Sequence, residues 1–301
     1  MLHPCTFVGL CKYHKTKIIT RRRHYKLKDR YVLVASDQDL AGMTMINYLL
    51  SNVDFASEGK RDAGESYRST CNDNIQLFIS SGSLLNLENL DDLYPHTFAF
   101  IFLSKHKSDS RIPALTCHCT GNFAADNAHG GRPREIAISY PSLQKGYLKA
   151  IIAARQKVPH YDIIIEATHH GPTSLNKPVL FIELGSSEKQ WADKNAAAVI
   201  CDTLLELLDN GIDSCDKVGI ALGGTHYPIK FNKLLLESKF GLAAVASKHN
   251  LAAVDEGILN QMVEKSVEKV THIILDSKGL GSQKDRIMKM AEKTQLELYQ
   301  V

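Results

Sequence analysis

The chain has 301 residues, of which 44% are hydrophobic and 23% charged, the composition of an ordinary globular protein. No apolar run approaches the ~20 residues that a helix needs to cross a bilayer, so the sequence argues against a membrane-spanning protein. The formal net charge of +3 does not by itself indicate a partner.

Positive charge is concentrated at the amino terminus. Residues 1–30 contain nine Lys or Arg and one acid, Asp29, whereas residues 31–301 hold 27 basic and 32 acidic residues, a net charge of −5. A basic arm of this kind could bind nucleic-acid phosphates without regard to sequence. We favour the simpler interpretation that residues 1–30 are an extension outside the fold, such as a start codon assigned too far upstream would produce.

The seven cysteines are dispersed along the chain. They stand at positions 5, 11, 71, 117, 119, 201 and 215, and no two form a CxxC pair. An odd and scattered set favours a reducing, cytoplasmic setting over a secreted disulfide framework.

Short apolar runs alternate with amphipathic segments and predict an α/β fold, with a mostly parallel or mixed central sheet flanked by helices. The predicted strands are 31–37, 74–79, 97–103, 135–140, 161–165, 179–184, 218–222, 242–247 and 271–276. The predicted helices are 41–51, 143–156, 188–209, 256–270 and 283–298, with Ser187 and Ser282 as N-caps of the third and fifth.

Residues 31–301 are predicted to form one domain. The segment 209–216, rich in Asp, Asn and Gly, is the best candidate for an internal boundary, although a tight loop explains its composition equally well.

Side chains capable of chemistry follow two of the predicted strands. Glu166, His169 and His170 come directly after one buried strand, and His226 follows another. Open α/β sheets bind ligands at the carboxyl ends of their strands. Two strand ends that both deliver His therefore indicate one shared site, and we predict a hydrolase.

Five separated motifs resemble the D-aminoacyl-tRNA deacylases of archaea and plants. They are residues 104–108, 113–122, 166–174, 181–188 and 223–227, and the similarity extends over about 31–301. The resemblance implies hydrolysis of the ester that joins a D-amino acid to the 3′-terminal ribose of tRNA, with dependence on zinc. The implied partner is the tRNA acceptor end carrying a D-amino acid.

Two positions depart from the family pattern. Thr225 stands where the family usually has Gly, so the loop before His226 is expected to adopt positive φ less freely. Cys117 and Cys119 replace Thr and Val on either side of His118. In a strand both would face away from His118, and we expect them to serve in packing.

A zinc hydrolase site uses three His, Asp or Glu ligands and an open position for water. The candidate ligands for one or two Zn²⁺ ions are His118, His170, His226 and Glu183. The candidate catalytic residues are Glu166, His169 and His170.

Neighbouring side chains in an extended chain point to opposite faces. His169 and His170 can therefore share one metal only if the turn rotates one of them. We expect one to be a ligand and the other a base or a hydrogen-bonding partner, or each to bind its own ion.

Further residues are candidates for binding the substrate. They are Lys105, His106, Arg132, Thr173, Gly223, Gly224 and Tyr227. The basic residues suit tRNA phosphates, and the glycines offer backbone N–H groups to a ribose or an oxyanion. Tyr227 could stack on the terminal adenine, although it could equally belong to the core.

Three alternatives remain open from the sequence. The ribose 2′-OH could assist hydrolysis and leave the protein mainly to position the strand. The protein could instead be a zinc-dependent esterase or amidase for a small molecule, or a non-catalytic tRNA-binding module with a structural zinc. In each case we expect a cytoplasmic monomer that binds neither DNA nor a membrane.

Overall fold

The computed structural model describes residues 30–301, so the predicted basic extension lies outside the described residues except for Arg30. The strands are β1 (Tyr31–Ser36), β2 (Phe55–Arg61), β3 (Gly64–Ser69), β4 (Ile75–Ser80), β5 (Ala99–Lys107), β6 (Ala114–His118), β7 (Gly121–Asn122), β8 (Glu135–Ile136), β9 (Asp162–Ile165), β10 (Val179–Ser186), β11 (Lys217–Leu222), β12 (Phe240–Ala246), β13 (His272–Leu275) and β14 (Glu297–Gln300). The α-helices are α1 (Leu40–Asn52), α2 (Leu90–Leu93), α3 (Pro141–Ala153), α4 (Glu188–Trp191), α5 (Lys194–Asn210), α6 (Ile229–Glu237), α7 (Glu256–Glu264) and α8 (Lys284–Glu292). Within residues 30–301, none of these helices is both long and apolar enough to cross a membrane.

The strands form two principal sheets. The larger has eight strands in the order β2-β3-β4-β1-β5-β10-β6-β9, and the smaller has four in the order β12-β11-β13-β14. In the larger sheet β4, β1, β5 and β10 are parallel, whereas β6 and β9 run in the opposite direction. All neighbours in the smaller sheet are parallel. The predicted α/β fold with a mixed sheet is confirmed.

Apolar strands lie at the centre of the larger sheet because both of its faces are covered. Every residue of β1 and β10 is buried, as is typical of strands in the interior of an α/β fold. Helices α1, α3 and α5 pack on one face and form the largest apolar cluster with it. The other face carries a smaller cluster that includes the stacked rings of Phe102 and Phe181, 4.6 Å apart.

Several predicted boundaries were wrong. The hairpin β2–β3 was missed because its sequence is polar and lies at an exposed edge of the sheet, and α6 was missed as well. The helix predicted at 188–209 is two helices, since the side chain of Asp193 accepts hydrogen bonds from the N–H groups of Asn195 and Ala196 and starts α5. The helix predicted at 256–270 ends at Glu264. The strand predicted at 135–140 is only Glu135–Ile136.

The carboxyl terminus was also assigned wrongly. The helix predicted at 283–298 ends at Glu292, and the chain then forms β14 beside β13. Ser282 does not cap this helix, whose N-cap position is taken by Gln283.

The two sheets meet at the segment that follows β9. The backbone N–H of Thr168 donates to the carbonyl of Val245 in β12, and the Thr168 hydroxyl accepts a hydrogen bond from the N–H of Val245. Ala167 N–H donates to the carbonyl of His226. The residues 211–216 lie between α5 and the first strand of the smaller sheet. Because one apolar cluster includes residues from both sheets, we propose that residues 30–301 act as a single domain.

Replacing Thr168 with Val should weaken this junction. Val keeps the size of the side chain but leaves the N–H of Val245 without its acceptor, and such a loss costs about 1–3 kcal/mol. We expect the free energy of unfolding, measured by urea titration, to fall by this amount. The matched control is Thr44→Val, which removes an exposed hydroxyl bonded to a carbonyl within α1 and should cost less than about 0.5 kcal/mol. Equal losses in both variants would contradict a special role for Thr168.

Candidate active site

Four ionisable side chains project from one face of the larger sheet, opposite the face covered by α1, α3 and α5. Strand register places His106 of β5, Glu183 of β10 and His118 of β6 on this face, with Glu166 directly after β9. His106, His118 and Glu166 lie at or just beyond carboxyl ends, as predicted from the sequence. Glu183 lies in the middle of its strand. Because β6 and β9 run antiparallel to β10, their carboxyl ends lie beside the middle of β10, near Glu183.

The turn after Glu166 brings both neighbouring histidines into the same cluster. His170 has a positive φ of 46°, and its carbonyl accepts a hydrogen bond of 2.8 Å from the N–H of Gly121. The rings of His169 and His170 lie 4.4 Å apart, and their centroids are 4.1 and 4.8 Å from that of His118. The turn therefore rotates one of the two side chains toward the other, which an extended chain could not do, and both imidazoles lie in one site.

Backbone carbonyls set the orientation of these three imidazoles. The Nδ1 atoms of His118, His169 and His170 lie 3.2, 2.8 and 2.7 Å from the carbonyls of Cys119, Ala167 and Gly171, in that order. A carbonyl can only accept, so each Nδ1 must carry the donated proton. The Nε2 atom of each neutral ring is then left with a lone pair, which is the arrangement found in histidines that bind metals.

Buried polar atoms in this cluster lack ordinary partners. Nε2 of His118 is buried without a hydrogen bond, and the nearest carboxylate oxygen, on Glu183, is 3.5 Å away. The ligand atoms of His118, His169 and His170 all lie within 4.8 Å of one another. Two further groups meet the same limit, Glu166 with His169 and His226, and Glu183 with His106 and Glu166. The donors present therefore fit a metal ion, and both the group of three His and the group of two His and one Glu are ligand sets that zinc uses in catalytic sites.

The protonation of the imidazoles differs across the site. Burial, together with the neighbouring imidazoles, lowers the pKa of His169 well below its ordinary value and that of His170 to about 4, so both are neutral near pH 7. Burial also opposes a charge on His118, but Glu183 raises its pKa. A proton and a metal ion therefore compete for the lone pair on Nε2 of His118.

His106 forms a cationic bridge between the two carboxylates. Its Nδ1 lies 3.0 Å from Glu166 and 3.4 Å from Glu183. Burial opposes the charge, but the two carboxylates raise the pKa of His106 to about 10. Burial likewise opposes ionisation of the carboxyls, while their imidazole partners hold the pKa of Glu166 well below, and that of Glu183 below, the usual value. The site thus contains a buried imidazolium flanked by two carboxylates.

Three neighbours fix the position of His106. The hydroxyl of Tyr227 lies 3.1 Å from Nε2 of His106, and the indole N–H of Trp191 donates to the His106 carbonyl. Gly185 of β10 lies so close that a Cβ atom there would be 2.4 Å from this carbonyl oxygen. Only glycine therefore fits beside His106 without moving β5.

Glu166 also binds the imidazole that arrives from the smaller sheet. Nε2 of His226 lies 2.7 Å from the Glu166 carboxylate, and the His226 side chain is 41% exposed, more than any other imidazole of the site. The carboxylate is 2% exposed and ionised, so it accepts from Nε2–H and leaves Nδ1 of His226 as an acceptor. The pair has the geometry of a carboxylate that orients a general base.

Positive φ in the loop before His226 is confined to the two preceding glycines. Gly223 and Gly224 have φ values of 107° and 75°, whereas Thr225 is not among the residues with positive φ. The expected restriction at Thr225 therefore does not arise. The N–H of Gly223 donates to the carbonyl of Ala246, so it is not free to hold an oxyanion.

The remaining predicted substrate-binding residues lie in different environments. Lys105 is exposed, with its ammonium group 5.6 Å from the ring of Trp191, and Arg132 is exposed as well. Thr173 is 1% exposed, and its hydroxyl accepts from the N–H of Arg132 and donates to Glu135. Thr173 therefore positions the Arg132 loop and is shielded from direct contact. His106, also expected to contact tRNA, is 4% exposed, and its Nδ1 faces the carboxylates of Glu166 and Glu183.

Sequence reasoning missed Asp39, which supports the end of β5. Its buried carboxylate accepts hydrogen bonds of 3.1 Å from the hydroxyl of Ser104 and the N–H of Lys105, and one from the N–H of Gly42 in α1. An Asp directly before an amphipathic helix is a signal for an N-cap. The additional contacts with β5 depend on tertiary structure and left no local pattern.

Comparisons with known proteins agree with this fold. A family profile described as D-aminoacyl-tRNA deacylase matches residues 94–299. A protein named D-aminoacyl-tRNA deacylase from Cenarchaeum symbiosum is 36% identical, covering 89% of this chain and 98% of the relative. One of the same name from Methanocaldococcus jannaschii is 33% identical with the same two coverages, 89% and 98%. The crystal structure of a conserved protein of unknown function, AF0625, aligns with a TM-score of 0.83 at 25% identity, covering 90% of this chain and 95% of that one.

Replacing His106 with Gln should destabilise the protein. The substitution leaves Glu166 and Glu183 buried without the cation between them, and removing one partner of a buried ion pair costs about 3–5 kcal/mol. The low pKa values of the carboxyls depend on that cation, so acid protonates them more readily in the variant and relieves their repulsion. The difference in unfolding free energy should therefore be largest near pH 7 and should shrink toward pH 4 in denaturant titrations. Adding Glu183→Gln to the variant should restore part of the stability, and a further loss would contradict the charge argument.

Proposed function

The chain belongs to the D-aminoacyl-tRNA deacylase family, a family of hydrolases, and we propose that it cleaves the ester between a D-amino acid and the 3′-terminal ribose of tRNA. The products are free D-amino acid and tRNA, and the reaction would protect translation from D-amino acids. The observation that carries the chemistry is the grouping of His118, His169 and His170, whose ligand atoms lie within 4.8 Å of one another, beside the Glu166–His226 pair. A cytoplasmic location and a monomeric state stay predictions.

We propose that a zinc ion is held by Nε2 of His118, His169 and His170. The fixed Nδ1 protons and the unsatisfied Nε2 of His118 support this assignment. It differs from the set proposed from the sequence, since His169 takes the place of His226 and Glu183. Zn²⁺ supplies Lewis acidity toward an ester carbonyl and toward water.

In this proposal His226 is the general base and Glu166 positions it. Nδ1 of His226 takes a proton from water while Glu166 stabilises the imidazolium that forms. The water oxygen bonds to the ester carbon, and the bond from that carbon to the ribose oxygen then breaks. The proton passes from His226 to the departing ribose oxygen, which balances the reaction and regenerates the base.

The buried charges restrict what the other residues do. Both ring nitrogens of His106 face protein groups, since carboxylate oxygens lie 3.0 and 3.4 Å from Nδ1 and the Tyr227 hydroxyl lies 3.1 Å from Nε2. His106 therefore acts on the reaction by keeping Glu166 ionised. We propose that selection of D over L substrates comes from pocket walls that clash with an L side chain, while the main contacts are made to the backbone atoms of the amino acid.

The decisive experiment is release of amino acid from D-Tyr-tRNA and L-Tyr-tRNA, with and without a strong chelator. We expect cleavage of the D ester alone. Chelation should abolish this cleavage and Zn²⁺ should restore it, because the proposed reaction depends on the zinc ion that the three imidazoles bind. D-selective cleavage that is unaffected by the chelator would contradict the zinc proposal and favour assistance by the ribose 2′-OH. Absence of cleavage by zinc-replete protein would favour a small-molecule hydrolase, and competition by uncharged tRNA would then be tested.

A second experiment addresses the base. His226→Gln and Glu166→Gln should each lower kcat by about 10²–10⁴-fold with little change in KM, the usual contribution of a general base. The double variant should lose little more than the worse single variant, since the two residues act as a unit. The control is His160→Gln, which replaces an exposed imidazole before β9 and should keep full turnover. Normal kcat in His226→Gln with normal zinc content would refute this role.

A further inference from the structure

A cavity of about 420 Å³ lies beside the candidate active site, and His106 and Tyr227 form part of its wall. Of its other eleven lining residues six are aliphatic and five are polar, the latter being Ser108, Ser110, Arg155, Asp162 and Ser186, and we call it the apolar cavity for its aliphatic majority. The aliphatic residues come from the edge strand β9, from α3, from the start of α6 and from the loop before β6, and they include Ile112, Ile152, Ile163, Ile164 and Ile229. The proposed zinc ligands and the Glu166–His226 pair do not line this cavity.

Two of these isoleucines are unusually exposed. Ile112 is 54% and Ile229 is 74% exposed, and they belong to the few large apolar side chains at the surface of residues 30–301. Exposed apolar side chains at the mouth of a cavity are typical of a ligand-binding site. Tyr227 adds an aromatic face, half-buried and held in place by His106. An aromatic ring within an apolar cavity is suited to stacking against a planar base.

A second cavity, also of about 420 Å³, adjoins the first, and the two share Ser108 and Ser186. It is lined by three exposed cations, Lys107, Arg111 and Lys189, and by two acids, Asp109 and Glu188. Within residues 30–301 none of these three cations forms an ion pair. Cations without a partner at a cavity wall favour an anionic group.

We propose that the apolar cavity binds the 3′-terminal adenosine of the tRNA and that the adjoining basic cavity binds the phosphate on its 5′ side. This inference rests on the proposed function and adds the route of the acceptor end. Adenosine 5′-phosphate has a planar base and an anion joined by a ribose, which matches an apolar and a basic cavity that share a wall. The side chain of an amino acid carries no such phosphate, so it would leave the basic cavity unexplained.

The arrangement also places the reacting end correctly. Tyr227 belongs to the apolar cavity, and its ring lies 4.9 Å from that of His226, the proposed base. An adenine against Tyr227 therefore brings its ribose, which carries the ester, next to the imidazole cluster. The D-amino acid then lies on the other side of the ester, outside this cavity.

The test uses direct binding of adenosine and 5′-AMP to the full chain, measured by calorimetry, and needs no catalysis. We expect 5′-AMP to bind about fivefold more tightly than adenosine, since a phosphate contacted by cations gains a few tenths to one kcal/mol at a surface site. Lys107→Glu combined with Arg111→Glu should abolish this preference and leave adenosine binding unchanged. Ile112→Glu combined with Ile229→Glu should weaken both ligands by about tenfold or more, because a charge then stands at the apolar mouth.

The matched control is Val267→Glu, which places the same charge on an apolar residue that is 42% exposed and lines neither cavity, and it should change neither affinity. The proposal is overturned if neither nucleoside ligand binds at millimolar concentration, or if the isoleucine variants bind both normally. It is also overturned if these variants weaken free D-tyrosine and leave adenosine unaffected.

The outcome is separable from that of the deacylation assay. Binding of 5′-AMP with the expected pattern but no cleavage of D-Tyr-tRNA would keep the nucleotide site and reject the proposed reaction. D-selective cleavage in a protein that binds no nucleotide in these cavities would keep the reaction and reject the site.

Discussion

The burial of two carboxylates on one face of a sheet is the constraint on which the site depends. Glu166 and Glu183 are 2% and 5% exposed, and a buried carboxylate is costly unless it is paired. His106 supplies the cation between them. Each contact that fixes His106 therefore also stabilises the ionised form of Glu166, and an ionised Glu166 orients His226. The local charge balance thus connects β5, β9 and β10 with the loop from the smaller sheet.

Strand direction explains why these groups can meet. If β6 and β9 ran parallel to β10, their ends would lie beyond its carboxyl end, and Glu183 would be left alone within the strand. Because they run in the opposite direction, His118 and Glu166 come to lie over the middle of β10. The segment after β9 then pairs with β12 through Thr168 and carries His169 and His170 into the space between the sheets. Both sheets therefore contribute residues to the site.

Periodicity was sufficient to predict the α/β fold, and strand-end chemistry together with the family resemblance singled out His and Glu side chains that the structure places near one another. Buried strands are recognised by continuous apolar runs, and ligands of open α/β sheets bind at the carboxyl ends of the strands. The sequence did not show which of these side chains would lie in contact with one another. Whether His169 and His170 share one site depends on a single backbone angle, the positive φ of His170. The placement of His106 between two carboxylates depends on pairings across distant strands, and polar edge strands such as β2 lack the pattern on which such predictions rely.

The positions at which this chain departs from its family lie where the site does not use the side chain. Positive φ is required at Gly223 and Gly224, so Thr225 changes an exposed residue without altering the path of the loop. Cys117 and Cys119 are buried, and Cys117 packs in the apolar cluster on the sheet face opposite the imidazoles. Burial raises the pKa of the Cys119 thiol to about 12 and that of Cys117 well above its usual value, so neither forms a thiolate that could compete for a metal ion. What His118 needs from its neighbour is the backbone carbonyl of Cys119, and any residue at that position supplies it.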